Sequence, residues 1–265
     1  MEHTKASSPK LERKYGKYFL RFSFEETVAL NNTHPEQQRI CAVDLGLNSD
    51  AVCSIMCVDG TILARKFINL ASDKDQLYMV LNRIRKFQRK YGSSNVSGLW
   101  NYAQRLNDEL AKKIAAAIAD FAVLYSVDCI VFEYLDFKGH KNRGSKAQRI
   151  HMWRKNGVQD MVVQKAHRCG IRVSHICAWG TSRLAYDGSG GVVRDADNHA
   201  LCTFTNKKHY NCDLSASYNI GARYFIREIL KPLSEKTRSQ LQAKVPEVER
   251  RTYSTLLRLN AALAA

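Results

Sequence analysis

Three carboxylates sit where an unpaired charge would be expensive. Asp44 interrupts the apolar run Ile40-Cys41-Ala42-Val43-Asp44-Leu45-Gly46, and Glu133 stands near the end of Asp128-Cys129-Ile130-Val131-Phe132-Glu133-Tyr134-Leu135. Asp213 opens the segment Asp213-Leu214-Ser215-Ala216-Ser217-Tyr218-Asn219. Burying such groups without partners costs several kcal/mol, so a metal or a specific bond is expected at each. All-oxygen ligands suit Mg²⁺ or Mn²⁺ rather than Zn²⁺. Two such ions, ~3.5–4 Å apart, activate a water and stabilise the leaving 3′-oxygen of a phosphodiester. Each residue also has a bland reading. Asp44 can bond a nearby backbone amide, Glu133 can pair with a lysine, and Asp213 can serve as a helix N-cap. Asp187, Asp195 and Asp197 lie in a Gly-rich stretch and read as turn residues.

The elements around these residues follow from periodicity. Residues 40–46, 51–58 and 61–68 read as three consecutive antiparallel strands, the last two joined at Asp59-Gly60 by a tight turn with both residues at positive φ. Apolar residues recur at helical spacing over 73–91 (Leu77, Val80, Leu81, Ile84, Phe87) and again over 100–126 (Leu106, Leu110, Ile114, Ala117, Phe121, Leu124). The strand carrying Glu133 comes next. A helix is predicted over about 146–169 and a strand over 171–176. Residues 177–212 read as irregular, with short strands at 200–205 and 210–212. A helix opens at Asp213 and stops at Pro232, and the tail reads as helical with Tyr253, Leu256, Leu257, Leu259 and Leu263 as docking residues. Earlier in the chain, residues 1–13 read as disordered, and Tyr15–Phe24 alternates as a strand.

The predicted order is β-β-β-α-α-β-α-β, an insertion, then α. By analogy this is an α/β, ribonuclease H-like arrangement: a mixed sheet flanked by helices. In that arrangement the first and fourth strands are neighbours and the last helix crosses their ends, so Asp44, Glu133 and Asp213 converge.

Composition agrees with a polyanionic partner. The 265 residues carry a formal net charge of +16, and the pI is near 9.6. With no apolar anchor beside it, that excess favours nucleic acid over a membrane surface. Between 137 and 159 stand Lys138, Lys141, Arg143, Lys146, Arg149, Arg154 and Lys155, without Asp or Glu before Gln159. Directly after Glu133, these can hold phosphates near the carboxylates, although a solvated charged face has the same composition. Tyr134 and Trp153 can stack on bases or belong to the core. Trp179-Gly180-Thr181-Ser182 reads as packing the insertion against the sheet. No run approaches the ~18–20 apolar residues of a membrane span. The eight cysteines include Cys41, Cys53, Cys57 and Cys129 in core strands, which with a polar N-terminus points to a reduced, cytoplasmic setting.

The stretches AVDLGLNSDAV, IVFEYLD and CDLSASYNIGAR resemble, together and in this order, the three RuvC-type motifs of TnpB. TnpB proteins are transposon-encoded, RNA-guided DNA nucleases related to type V CRISPR effectors. The resemblance runs from about Tyr15 to the tail and corresponds to the C-terminal half of the family. It implies that Asp44, Glu133 and Asp213 carry metal-dependent cleavage, that DNA is the substrate and that a guide RNA is a partner. Residues 37–176 and 213–265 then form the RuvC-like nuclease domain. Residues 1–36 hold a remnant strand of the family's N-terminal wedge, and 177–212 stand in the place of its zinc ribbon. That ribbon carries two CxxC pairs, and this segment has none. Cys177, Cys202, Cys212 and His209 are too loosely spaced for a confident site, and zinc is not expected. The alternative is a transposon-derived nucleic-acid binder that no longer cuts. A DDE transposase, with the order Asp, Asp, Glu, fits less well.

Overall fold

The computed structural model describes residues 5–14, 16–46, 49–92, 96–134, 157–246 and 250–264. The first elements are four short strands: β1 (Lys5–Ala6), β2 (Lys10–Lys14), β3 (Lys17–Arg21) and β4 (Phe24–Glu25). They pair as two separate ribbons, β1 with β4 and β2 with β3. This corrects one expectation: residues 10–13, read as disordered tail, belong to a strand. The strand read over 15–24 pairs with it, outside the main sheet. Nearly all residues of the two ribbons are exposed.

The main sheet is built from β5 (Arg39–Leu45), β6 (Ala51–Cys57), β7 (Ile62–Ile68), β8 (Cys129–Tyr134) and β9 (Arg172–Cys177). Its order is β7-β6-β5-β8-β9, with the β5/β6 and β6/β7 pairs antiparallel and β5/β8/β9 parallel. Helices α1 (Ala71–Tyr91) and α2 (Ser97–Leu124) connect β7 to β8, and α3 (Val158–Arg168) precedes β9. The hairpin at Asp59-Gly60 is present, but its turn differs. Gly60 alone has positive φ, at 93°, and Cys57 exchanges backbone bonds with Gly60 and Thr61 across a three-residue loop. Asp59 accepts the Thr61 amide at 2.8 Å, which stabilises that loop form.

The period-two alternation of the strands sends side chains into two cores. Cys41, Val43, Ile130 and Phe132 face α2 and α3. Ile40, Ala42, Val52, Met56, Cys129 and Val131 face the opposite way, toward α4 (Cys212–Leu230). Between β9 and α4 the chain forms a small antiparallel sheet of β10 (Val192–Arg194), β11 (Leu201–Phe204) and β12 (His209–Asn211). The tail adds α5 (Glu235–Lys244) and α6 (Tyr253–Ala264).

Helix α4 organises this second layer. Every residue from Cys212 to Ile226 is buried, with the sheet on one side and the insertion and α6 on the others. Among its polar residues, Asn219 donates to the carbonyls of Thr181 and Leu184 and accepts the Tyr253 amide. At Gly221 the helix approaches the sheet so closely that a Cβ would lie 2.9 Å from Met56 Cε and 3.3 Å from Ala42 Cβ. The tail docks as expected through Leu256 and Leu259, both fully buried, and through Tyr253, whose hydroxyl donates to Gly60 O at 2.7 Å. Leu263 instead faces solvent. Among the described residues no helix is long and apolar enough to cross a membrane.

Candidate active site

Asp44 and Glu133 come together through strand register. The last paired positions of the parallel strands β5 and β8 are Ala42 and Val131, and each carboxylate stands two residues further along its strand. Two steps preserve the face, so both lie on the α4 side, at the C-terminal edge of the sheet. Asp213 lies in the first turn of α4, which packs across β5, β6 and β8. It is not the N-cap. That role belongs to Asn211, whose side chain accepts the Leu214 amide at 2.8 Å. With capping supplied by Asn211, the Asp213 carboxylate is left for another task.

The electrostatics of the three are those of like charges held out of water. Asp44 is only 9% exposed and Asp213 8%. Burial, followed by the charges of Glu133 and Asp213, pushes the Asp44 carboxyl well above the usual carboxylate range. Burial also raises Glu133 and Asp213. Among the described residues no hydrogen bond or ion pair reaches the Asp44 carboxylate. Asp50, six residues on, differs. It accepts the Leu70 amide at 2.6 Å and pairs with Lys74, so it is a structural carboxylate that holds the start of α1.

Two cations and one hydroxyl that sequence reading did not single out face this cluster. Arg194 of β10 stands 3.9 Å from Asp213 and also lowers the Asp44 pKa. Arg223 of α4 lowers that of Glu133, while its guanidinium bonds the carbonyls of Cys177 (2.9 Å), Trp179 (2.6 Å) and Arg251 (3.2 Å). The Thr181 hydroxyl bonds the Glu133 carboxylate and lies 2.9 Å from Ala178 O. Among the described residues Glu133 is thus held by a hydroxyl, and no lysine pairs with it. The signal for Thr181 was available only as a Thr in a Gly-containing turn, and that pattern names no partner.

Other expectations resolve individually. Lys138, Lys141, Arg143, Lys146, Arg149, Arg154, Lys155 and Trp153 lie outside the described residues, as does the start of the helix read over 146–169. Tyr134 is exposed, not core. Within 179–182 it is Thr181, buried and bonded to Glu133, that ties the insertion to the sheet, while Trp179 is 74% exposed and Arg223 holds its backbone carbonyl. Asp187 and Asp195 are turn residues that accept the amides of Ser189 and of Asp197 and Asn198. Cys202 and Cys212 are buried with Ala185 and Phe204 in an apolar cluster, whereas Cys177 is exposed.

The residues fit a hard divalent cation in donor type: three carboxylates, buried, mutually repelling and only partly offset by Arg194. Among the described residues, however, no three His, Cys, Asp or Glu side chains are drawn in to the spacing of a ligand set.

No family model matches the chain. A TnpB-like protein of Aquifex aeolicus (strain VF5) is 29% identical over 170 residues, covering 58% of this chain and 53% of that protein. The resemblance to TnpB is borne out. The chain spans about half the length of this TnpB-like relative. Among solved structures, the Cas12f1 of a Cas12f1–sgRNA–target DNA complex superposes with a TM-score of 0.53 at 18% identity, over 79% of this chain and 54% of that one. A CRISPR–Cas12f ternary complex gives 0.52 at 19%, over 80% and 44%. At these identities the likeness concerns the fold: a mixed α/β domain around a five-stranded sheet.

Proposed function

We propose that this chain is the nuclease portion of a TnpB-type, RNA-guided DNA-cutting protein, with a ribonuclease H-like core. The observation that carries the reading is the shared register of Asp44 and Glu133 on adjacent parallel strands, with Asp213 brought to the same edge by a buried helix. Two bound Mg²⁺ or Mn²⁺ ions would supply an activated water and neutralise the charge of the leaving 3′-oxygen. Asp44, Glu133 and Asp213 are the residues that would hold them. Thr181 orients Glu133, and Arg194 offsets part of the negative charge at Asp213. The basic residues Lys138, Lys141, Arg143, Lys146, Arg149 and Lys155 are assigned to backbone phosphates, a salt-sensitive and sequence-independent role.

The nucleic-acid reading is supported by the charge of +16 and by the relatives: the Cas12f structures are complexes, one of them with sgRNA and target DNA. Cleavage of labelled single-stranded and duplex DNA with Mg²⁺ or Mn²⁺, with and without RNA from the flanking locus, tests it. Metal-dependent cutting that disappears in Asp44→Ala is the expected result. Cutting retained in that variant would overturn the assignment. Tight binding without cutting under every condition would favour the non-cleaving alternative.

A further inference from the structure

We infer that a groove between β9, the C-terminal end of α4, α5 and residues 250–252 is a track for single-stranded nucleic acid leading to the carboxylates. Two adjoining cavities make it, one of about 390 Å³ lined by His175, Cys177, Trp179 and Arg223, the other of about 530 Å³ lined by Lys231, Glu235, Arg238 and Gln242. Both are also lined by Arg227 and Arg251, so they are halves of one depression.

The chemistry of this lining is that of a polyanion site. Arg223, Arg227, Arg238, Arg251 and Lys231 line the two halves, against one lining carboxylate, Glu235. Glu228 adds a second acid beside Arg227, at 2.8 Å. Several of the guanidinia are fixed by the protein itself. Arg227 donates to His175 O and Ser174 Oγ, and Arg223 is locked onto three backbone carbonyls. Fixed cations cost little further ordering when an anion arrives. Arg251 and Lys231 are exposed and complete the row.

Trp179 distinguishes a single strand from other polyanions. Its indole is exposed at one end of the groove and offers a stacking surface that only an unpaired base can use. Position joins this end to the carboxylates: Arg223 bonds the Trp179 carbonyl, and two residues later Thr181 bonds Glu133. The inference rests on the nuclease reading for its meaning, since it identifies where the strand to be cut would lie.

Binding is measured without metal, so that it is independent of cleavage. A fluorescein-labelled oligothymidine is titrated with the full chain in EDTA, by anisotropy, over a series of salt concentrations. Trp179→Ala is expected to weaken binding by about 5- to 100-fold with the salt slope unchanged, and Trp179→Phe to restore most of it. Arg251→Ala is expected to reduce the slope of log K against log salt by about 0.7. Circular dichroism confirms that both variants fold, as expected for two exposed side chains. Wild-type affinity and slope in both Trp179→Ala and Arg251→Ala would overturn the track, as would duplex binding that competes fully and ignores Trp179. A chain that binds here but never cuts defeats the nuclease reading alone, and one that cuts while both variants bind normally defeats the track alone.

Discussion

Glu133 and Thr181 are joined by a hydrogen bond that crosses 48 residues of sequence and ties the end of β8 to the start of the insertion. Thr181 has one hydroxyl proton and two acceptors in reach, the Glu133 carboxylate and Ala178 O. Its turn is in turn fixed by Asn219, which holds the Thr181 carbonyl at 3.0 Å, and by Arg223, which holds that of Trp179. The orientation of one candidate ligand is therefore set from α4, the helix that also carries Asp213.

Thr181→Val keeps the shape and removes the bond. Apparent Mn²⁺ affinity, followed by calorimetry, is expected to fall by about 10- to 100-fold, as for other groups that orient metal ligands. Thr181→Ser should restore it. Equal affinities in wild type and Thr181→Val would show that Glu133 needs no orienting partner.

Asp44, Glu133 and Asp213 all have pKa values raised by burial. The folded chain thus binds these protons more tightly than the unfolded chain. Metal-free stability should fall as pH rises from about 4, the unfolded carboxylate value, and level off above the raised folded values. Asp44→Asn removes a carboxylate whose charge is disfavoured first by burial and then by its two neighbours, and should raise the metal-free Tm at pH 7 by about 2–4 °C, the shift for roughly 1 kcal/mol in a chain of this size. The same variant should lose the Tm increase that Mn²⁺ gives the wild type. A lower metal-free Tm in Asp44→Asn would contradict the electrostatic account.

Gly221 lets α4 lie against β5 and β6. Gly221→Val should destabilise the protein by about 1–3 kcal/mol or more through overpacking against Met56 and Ala42. Denaturant unfolding measures this, and Met56→Ala in the same chain should recover part of the loss. Additive effects of the two substitutions would place the strain elsewhere.

Asn219→Ala deprives one buried carbonyl, one partly buried carbonyl and one partly buried amide of their partner. A loss of about 2–4 kcal/mol is expected, from ~1–3 kcal/mol for each unsatisfied group with partial relaxation. Hydrogen exchange should show the segment 178–186 and the start of α6 losing protection first. Uniform loss over the whole chain would argue against Asn219 as the local tie.

Local pattern determined a large share of this protein. The alternation of residues 40–46, 51–58 and 61–68 and the helical spacing after Leu77 act over a few residues, and each element formed near where its period placed it. Asp44 and Glu133 stood out for the same reason: a charge inside an apolar run is conspicuous without any partner in view, whereas Asp213 stood out only by its motif and its place at the start of a helix. Tertiary structure decided what surrounds them. Arg194 and Thr181 reach the site from the insertion and Arg223 from the middle of α4; Trp179 stands exposed while backbone bonds to Arg223 hold its turn. These contacts join residues up to 48 positions apart and depend on how closely α4 lies on the sheet at Gly221. Long-range bonds of this kind leave no period in the sequence, because their partners are chosen by proximity in the folded chain.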